Sequence, residues 1–229
     1  MAFHSSKKYR QPTDLSVGGN HKKEPMTLVV GKRVAMIAVI DYNAGNVQSV
    51  LFALERLGAP AILTGDHAQI RAAEKVIFPG VGEASTTMHF LRERGLDELI
   101  KSLTQPTLGI CVGMQLLCAH SEENDTPCLG VIPQRVKRFI PINGEKVPHM
   151  GWNSLSRCSD EIFTPELSGE YVYYVHSYYV EQGPYTSALS EYTLPFSAGL
   201  HKDNFYATQF HVEKSGKVGE TILRNFLNL

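Results

Sequence analysis

The chain has 229 residues, with 22 Lys and Arg against 23 Asp and Glu and a formal net charge of −1. A balance this even supplies no basic field for nucleic acid or an anionic membrane surface. Hydrophobic residues at 43% and charged residues at 20% are those of a globular protein, and no apolar run approaches the ~20 residues of a membrane helix.

Residues 1–32 carry Lys7, Lys8, Arg10, Gly18, Gly19, Lys22 and Lys23 and lack an apolar segment. They read as a flexible tail and not as a secretory leader, which leaves 33–229 as one domain. Arg33 to Ile40 is a short apolar run, the mark of a strand covered on both faces. From Asn46 to Leu57 the residues Val47, Val50, Leu51, Leu54 and Leu57 fall on one helical stripe, closed by Gly58. Ala59 to Leu63 is a second strand. Asp66 caps a short helix, and Lys75 to Phe78 is a third strand ending in Pro79-Gly80-Val81-Gly82. A helical stretch follows over 84–103, with a break near Gly95.

Thr107 to Ile110 is the next strand. It turns at Gly109-Ile110-Cys111-Val112-Gly113 into another helix, on which Cys118 is expected below Cys111 as a core residue. Beyond Cys128 the texture changes to short strands: Val131–Phe139, Tyr171–Val175, Ser177–Glu181, Phe196–Leu200 and Phe205–Gln209. Lys217 to Leu227 is a closing amphipathic helix. Strands alternating with helices imply βαβ units and a mostly parallel central sheet flanked by helices, with added short strands in the C-terminal half. Functional loops then gather beyond the carboxyl ends of the strands.

Two segments carry chemistry. Cys111 sits at a cramped strand–turn–helix corner between two glycines, where a nucleophile is presented over the amino end of a helix. That end favours negative charge on sulfur and offers backbone donors to an oxyanion. The second is His211-Val212-Glu213. From an extended segment both side chains point the same way, so the imidazole can serve a thiol as base while the carboxylate orients it. The four cysteines, Cys111, Cys118, Cys128 and Cys158, include no CxxC pair and make neither a disulfide framework nor a zinc site. A reducing cytoplasm fits them.

These motifs resemble the class I, or triad, glutamine amidotransferases. With Pro79-Gly80-Val81-Gly82, Val147-Pro148-His149-Met150-Gly151-Trp152-Asn153 and Tyr174-Val175-His176-Ser177-Tyr178, they look like the glutaminase subunits of imidazole glycerol phosphate synthase, from histidine biosynthesis. The likeness runs from about Val34 to the C-terminus. It implies Cys111 as nucleophile on the glutamine amide, His211 as base and Glu213 as its orienting carboxylate. It further implies an oxyanion hole from Val112 and the loop residues Gly80, Val81 and Gly82, and substrate contacts at Gln115, Ser177 and Tyr178.

Asn46, Tyr173 and Lys214 resemble positions at the interface with a (β/α)8 barrel partner. That heterodimeric partner would receive ammonia through an internal path and make imidazole glycerol phosphate and AICAR. No cofactor and no metal are implied, nor any nucleic acid or membrane. Free subunits of this kind are expected to be poor glutaminases. One departure is visible, Val212 where the related pattern has proline. The alternatives are an amidotransferase serving anthranilate or aminodeoxychorismate synthesis, or an idle scaffold.

Overall fold

The computed structural model describes residues 36–42, 47–142 and 144–229. The expected tail, 1–32, and Asn46 lie outside the described residues. Strand β1 (Ile37–Ile40) is buried at every position, as an apolar strand between two layers must be. Helix α1 (Val47–Arg56) buries Val47, Val50, Ala53 and Leu54, while Leu51 and Leu57 are half-buried against the core. After β2 (Ala61–Thr64), helix α2 (His67–Ala72) opens with the Asp66 carboxylate accepting from the Gln69 amide at 2.8 Å. Strand β3 (Lys75–Phe78) leads to α3 (Ala84–Glu93) and α4 (Leu96–Lys101). These two helices are separated at Gly95, whose φ of 64° suits a residue without Cβ.

Strand β4 (Thr107–Ile110) enters helix α5 (Val112–Leu117). Here one expectation is corrected: the helix ends at Leu117, and Cys118 opens strand β5 (Cys118–Ser121). The Leu129 and Gly130 amides donate to the Leu116 and Cys118 carbonyls at 2.9 and 2.8 Å, capturing backbone that a longer helix would have used. Cys118 is fully buried all the same.

The second half adds β6 (Thr126–Pro127), β7 (Ile132–Arg138), β8 (His149–Ser154), β9 (Arg157–Cys158), β10 (Tyr171–His176) and β11 (Tyr178–Val180). After β12 (Thr186–Tyr192), β13 (Leu194–Lys202) and β14 (Phe205–Thr208), helix α6 (Gly216–Leu227) closes the chain. Strands β5, β8 and β12 are not marked by the sequence pattern.

The main sheet runs β2-β1-β3-β4-β14-β13-β11-β7-β5-β6. From β2 to β14 every pairing is parallel. Beyond β14 the pairings turn antiparallel, except where β5 lies parallel to β7. Strands β8 and β10 form a separate antiparallel ribbon. Among the described residues no helix is long and apolar enough to cross a membrane.

Two features of this topology build the site. Strand β14 lies parallel to β4 with Thr208 opposite Ile110, so the chain leaves both strands at the same sheet edge. Cys111 and the 209–213 segment are thus neighbours, joined by the Cys111 amide donating to Thr208 O at 2.7 Å. The second feature is a close backbone approach between the turns that follow β3 and β4. A Cβ at Gly113 would overlap the Phe78 carbonyl oxygen, and one at Gly80 would overlap the Gly113 nitrogen. Gly113→Ala is therefore expected to lower the unfolding free energy by ~2 kcal/mol or more, read as a reduced urea midpoint. An unchanged midpoint would mean that the two turns separate at little cost.

Candidate active site

Cys111 occupies the bend with φ 54° and ψ −109°, a backbone state that a residue with a Cβ adopts only at a cost of about 1–3 kcal/mol. Buried neighbours hold the corner in this strained state. The side chain is buried, facing a cleft of about 320 Å³ whose lining includes Val81, Gly82, Val112, Gln115, Ser177, Tyr178 and His211. Most of the residues singled out from the sequence thus meet in one place. Gly80 lies behind, packed on the elbow backbone.

The His211–Glu213 segment differs from expectation in its backbone. Residues Val212–Lys214 form a 3-10 turn, not an extended strand, yet the two side chains still meet. The reason is local anchoring: the His211 amide donates to Tyr173 O at 3.0 Å, and Ser215 Oγ donates to His211 O at 2.7 Å. Glu213 Oε1 lies 2.9 Å from His211 Nδ1, and both side chains are buried. Burial opposes charge on this imidazole. The hydrogen bonds and charges of Cys111 and Glu213 outweigh it and push the group up to about 10. His211 is therefore held as imidazolium between a sulfur and a carboxylate.

Around this pair the cleft is polar and ordered. Gln115 Nε2 donates to Tyr178 O at 3.0 Å and to Gln209 Oε1 at 3.1 Å, so the Gln115 amide is fixed rather than free to swing. The loop after β3 is tied at its base by Tyr42, whose hydroxyl donates to Pro79 O at 2.6 Å. Burial pushes that hydroxyl's titration well above the ordinary tyrosine range, so it stays a neutral donor. Gly82, at φ 108°, permits the loop to turn back toward the cleft.

Two residues of the site escape sequence reasoning. Glu123 reaches the cleft from beyond β5, with Oε2 accepting from the Ala84 amide at 2.7 Å. Burial pushes its carboxyl up, against the pull of that hydrogen bond. It sits in the acidic run Glu122-Glu123-Asn124-Asp125, and nothing in the spacing ties it to the elbow. Gln209 is fully buried with Nε2 3.9 Å from Cys111 Sγ. Its position two before His211 is a faint sign that the two share a side.

Of the expected interface residues, Tyr173 is half-buried in β10 with its ring edge-on to Trp152 at 5.8 Å, and Lys214 is exposed beside the catalytic turn. Among the described residues, Asp160, Glu161 and His201 place potential metal-ligand atoms within 4.8 Å of one another, and none of the three lines the cleft. All four cysteines are free.

Two more imidazoles are buried here, His176 in the cleft lining and His149 behind it. His149 Nδ1 and His176 Nε2 are 2.9 Å apart, and His176 Nδ1 lies 2.7 Å from Tyr178 O. Burial drives both down, His149 to about 4 and His176 to about 3. With their ordinary value near 6.5, the unfolded chain takes up protons below that pH that the folded chain refuses. Their contribution to stability is thus present above pH ~6.5 and lost as pH falls toward 4. The urea midpoint is expected to drop between pH 7 and pH 5, and to drop less in His149→Gln. Equal slopes for the two proteins would refute the neutral pair.

Residues 38–229 match the family described as glutamine amidotransferase class-I, to which the chain belongs. Within that class its relatives are imidazole glycerol phosphate synthase subunits HisH. The Bacteroides thetaiotaomicron protein is 57% identical over 194 residues, covering 84% of this chain and 99% of the relative. A Bacteroides fragilis protein is 58% identical over the same shares. A crystal structure of a glutamine amidotransferase shares the fold, with a TM-score of 0.65 and 20% identity over 83% of this chain and 97% of that one.

Proposed function

We propose that the chain hydrolyses the side-chain amide of glutamine and passes the ammonia to a (β/α)8 barrel synthase subunit, which makes imidazole glycerol phosphate and AICAR. The observation that carries this reading is the Cys111–His211–Glu213 arrangement at the mouth of a cleft, in a chain 57% identical to a HisH subunit. The sulfur attacks the amide carbon as a thiolate paired with the His211 imidazolium. His211 then protonates the departing nitrogen, ammonia leaves, and a γ-glutamyl thioester remains on Cys111. A water molecule, deprotonated by the now neutral imidazole, attacks the thioester and releases glutamate. Glu213 keeps the ring in the tautomer and orientation both steps need.

Substrate recognition follows from the lining. The Glu123 carboxylate suits the α-ammonium of glutamine, and the backbone at Ser177 and Tyr178 with the Gln115 amide suits its other polar groups. The oxyanion is met by the Val112 amide and one donor from the Gly80–Gly82 loop, each worth about 3–4 kcal/mol of barrier. The Tyr42 hydroxyl on Pro79 O ties the base of this loop, a tie that restrains the peptide rotation by which the loop would supply its donor.

The partner is placed at the β8–β10 ribbon, whose outer face exposes Met150, Trp152 and Tyr171 at 63%, 55% and 58%. Tyr173 and Lys214 adjoin that face. A group of exposed apolar side chains beside a catalytic cleft fits a docking surface for the ammonia acceptor.

Two outcomes test the reading. In the reconstituted complex, Cys111→Ala is expected to abolish glutamine-dependent formation of imidazole glycerol phosphate while ammonia-dependent formation persists; loss of both would remove the sulfur from this role. In the subunit alone, Tyr42→Phe removes the tie to Pro79 O and is expected to raise glutaminase kcat several-fold. A fall in kcat would mean that the tyrosine supports the active loop instead of restraining it.

A further inference from the structure

The amide of Gln209 is the buried polar group that the triad chemistry leaves unused. It is fully buried, it follows β14, and its Nε2 stands 3.9 Å from the sulfur of Cys111. An amide can present either end, so what fixes the nitrogen toward the sulfur decides whether Gln209 helps or hinders a thiolate.

The hydrogen bonds around it leave no freedom. Tyr178 O only accepts, so the Gln115 group facing it is Nε2, and that same nitrogen meets Gln209 Oε1 at 3.1 Å. Gln209 must then direct its NH2 at Cys111. Tyr178 O also accepts from His176 Nδ1, which leaves His176 Nε2 as an acceptor for His149 Nδ1–H at 2.9 Å. His149 Nε2 in turn accepts from Asn153 Nδ2 at 3.4 Å. The Asn153 amide is itself pinned, with Oδ1 accepting from the Ser154 amide and Nδ2 donating to Glu191 O, each at 2.8 Å. Every donor in this run meets an acceptor, in one direction, from the β8–β10 ribbon to the Tyr178 carbonyl. A protonated imidazole at either histidine would break it, and both are held neutral by burial.

We infer that Gln209 is a further catalytic residue, donating an N–H to the Cys111 thiolate, with its orientation set by Gln115 at the Tyr178 carbonyl that the Asn153–His149–His176 chain holds in place. Asn153, His149 and His176 are positioning residues. The inference rests on Cys111 being the reactive sulfur, but it requires no turnover of glutamine.

The test is therefore alkylation. The rate of Cys111 modification by iodoacetamide is measured against pH on the full chain, with the site verified by mass spectrometry of the peptide. The titratable groups around the sulfur are His211 and Tyr42, with Glu123 and His176 lining the same cleft, and the Gln209→Met exchange leaves all four in place. Removing the donor in Gln209→Met is expected to move the profile alkaline by about half a pH unit, roughly a threefold loss of rate on the acid limb of the profile. Gln209→Glu, which sets an acceptor against the sulfur, moves it further. His176→Phe keeps the ring packing and gives a smaller shift in the same direction.

Superimposable profiles for the wild type and a folded Gln209 variant would overturn the assignment. If neither variant folds, the side-chain amide resonances of the unmutated chain decide. Those of Gln209 are expected to move when Cys111 is alkylated, and resonances that stay still would overturn the assignment equally. A glutaminase failure with the alkylation shift intact would strike the function proposed above and leave this residue's role standing.

Discussion

The contact between the Gly113 backbone and the Phe78 carbonyl governs everything above it. Strands β3 and β4 are parallel neighbours, so the turns that leave them compete for the same space. Only because positions 80 and 113 lack a Cβ can the two turns interlock. That interlocking sets the Pro79–Gly82 loop against the first residues of α5, bringing loop amides and nucleophile to one cleft. The positive φ of Cys111 is the other side of the same constraint. A strand that must become a helix within one residue leaves its corner in an unfavourable state, held there by the Thr208 bond and by burial.

Within that frame three buried imidazoles are driven in opposite directions. His211 faces a sulfur and a carboxylate and is held charged, whereas His149 and His176 face an amide, a carbonyl and each other and are held neutral. Burial opposes charge on all three; the partner decides the outcome. The cleft thus sets a charged couple, His211 with Glu213, apart from an uncharged one, His149 with His176. Had His176 faced a carboxylate, the Tyr178 carbonyl could not be shared with Gln115 on the same terms.

The sequence was most legible where one local rule dominated. Full burial of β1, β3 and β4 follows from apolar runs, the Asp66 cap from its residue type, and the α3–α4 break from Gly95. It was least legible where strand pairing at long range decided. Strand β5 continues a helical-looking segment and becomes a strand because backbone from 129 and 130 and the ladder of β7 claim it. Strand β8 (HMGWNS) carries a glycine and mixed polarity, and it exists because β10 pairs with it along its whole length. The meeting of Cys111, His211 and Glu213 was readable since two short motifs hold them. Glu123 and Gln209 were not, because each owes its place in the cleft to topology and to the neighbours that orient it.

The ribbon of β8 and β10 links an exposed apolar face to the buried wall of the cleft. Side chains alternate across a strand, so one pair of strands carries two faces. Outward it presents Met150, Trp152 and Tyr171; inward it buries His149, Tyr174 and His176. The Val175 carbonyl of the same strand lies 3.9 Å from Cys111 Sγ. Register links the faces rigidly, since Tyr173 opposes Trp152 and His176 opposes His149. A protein that covers the outer residues cannot shift them without moving the imidazoles behind. Those imidazoles hold the carbonyl that holds Gln115. The ribbon is itself bound on both flanks, Tyr173 O accepting from the His211 amide and Asn153 Nδ2 donating to Glu191 O, so its position and that of the cleft wall are set together.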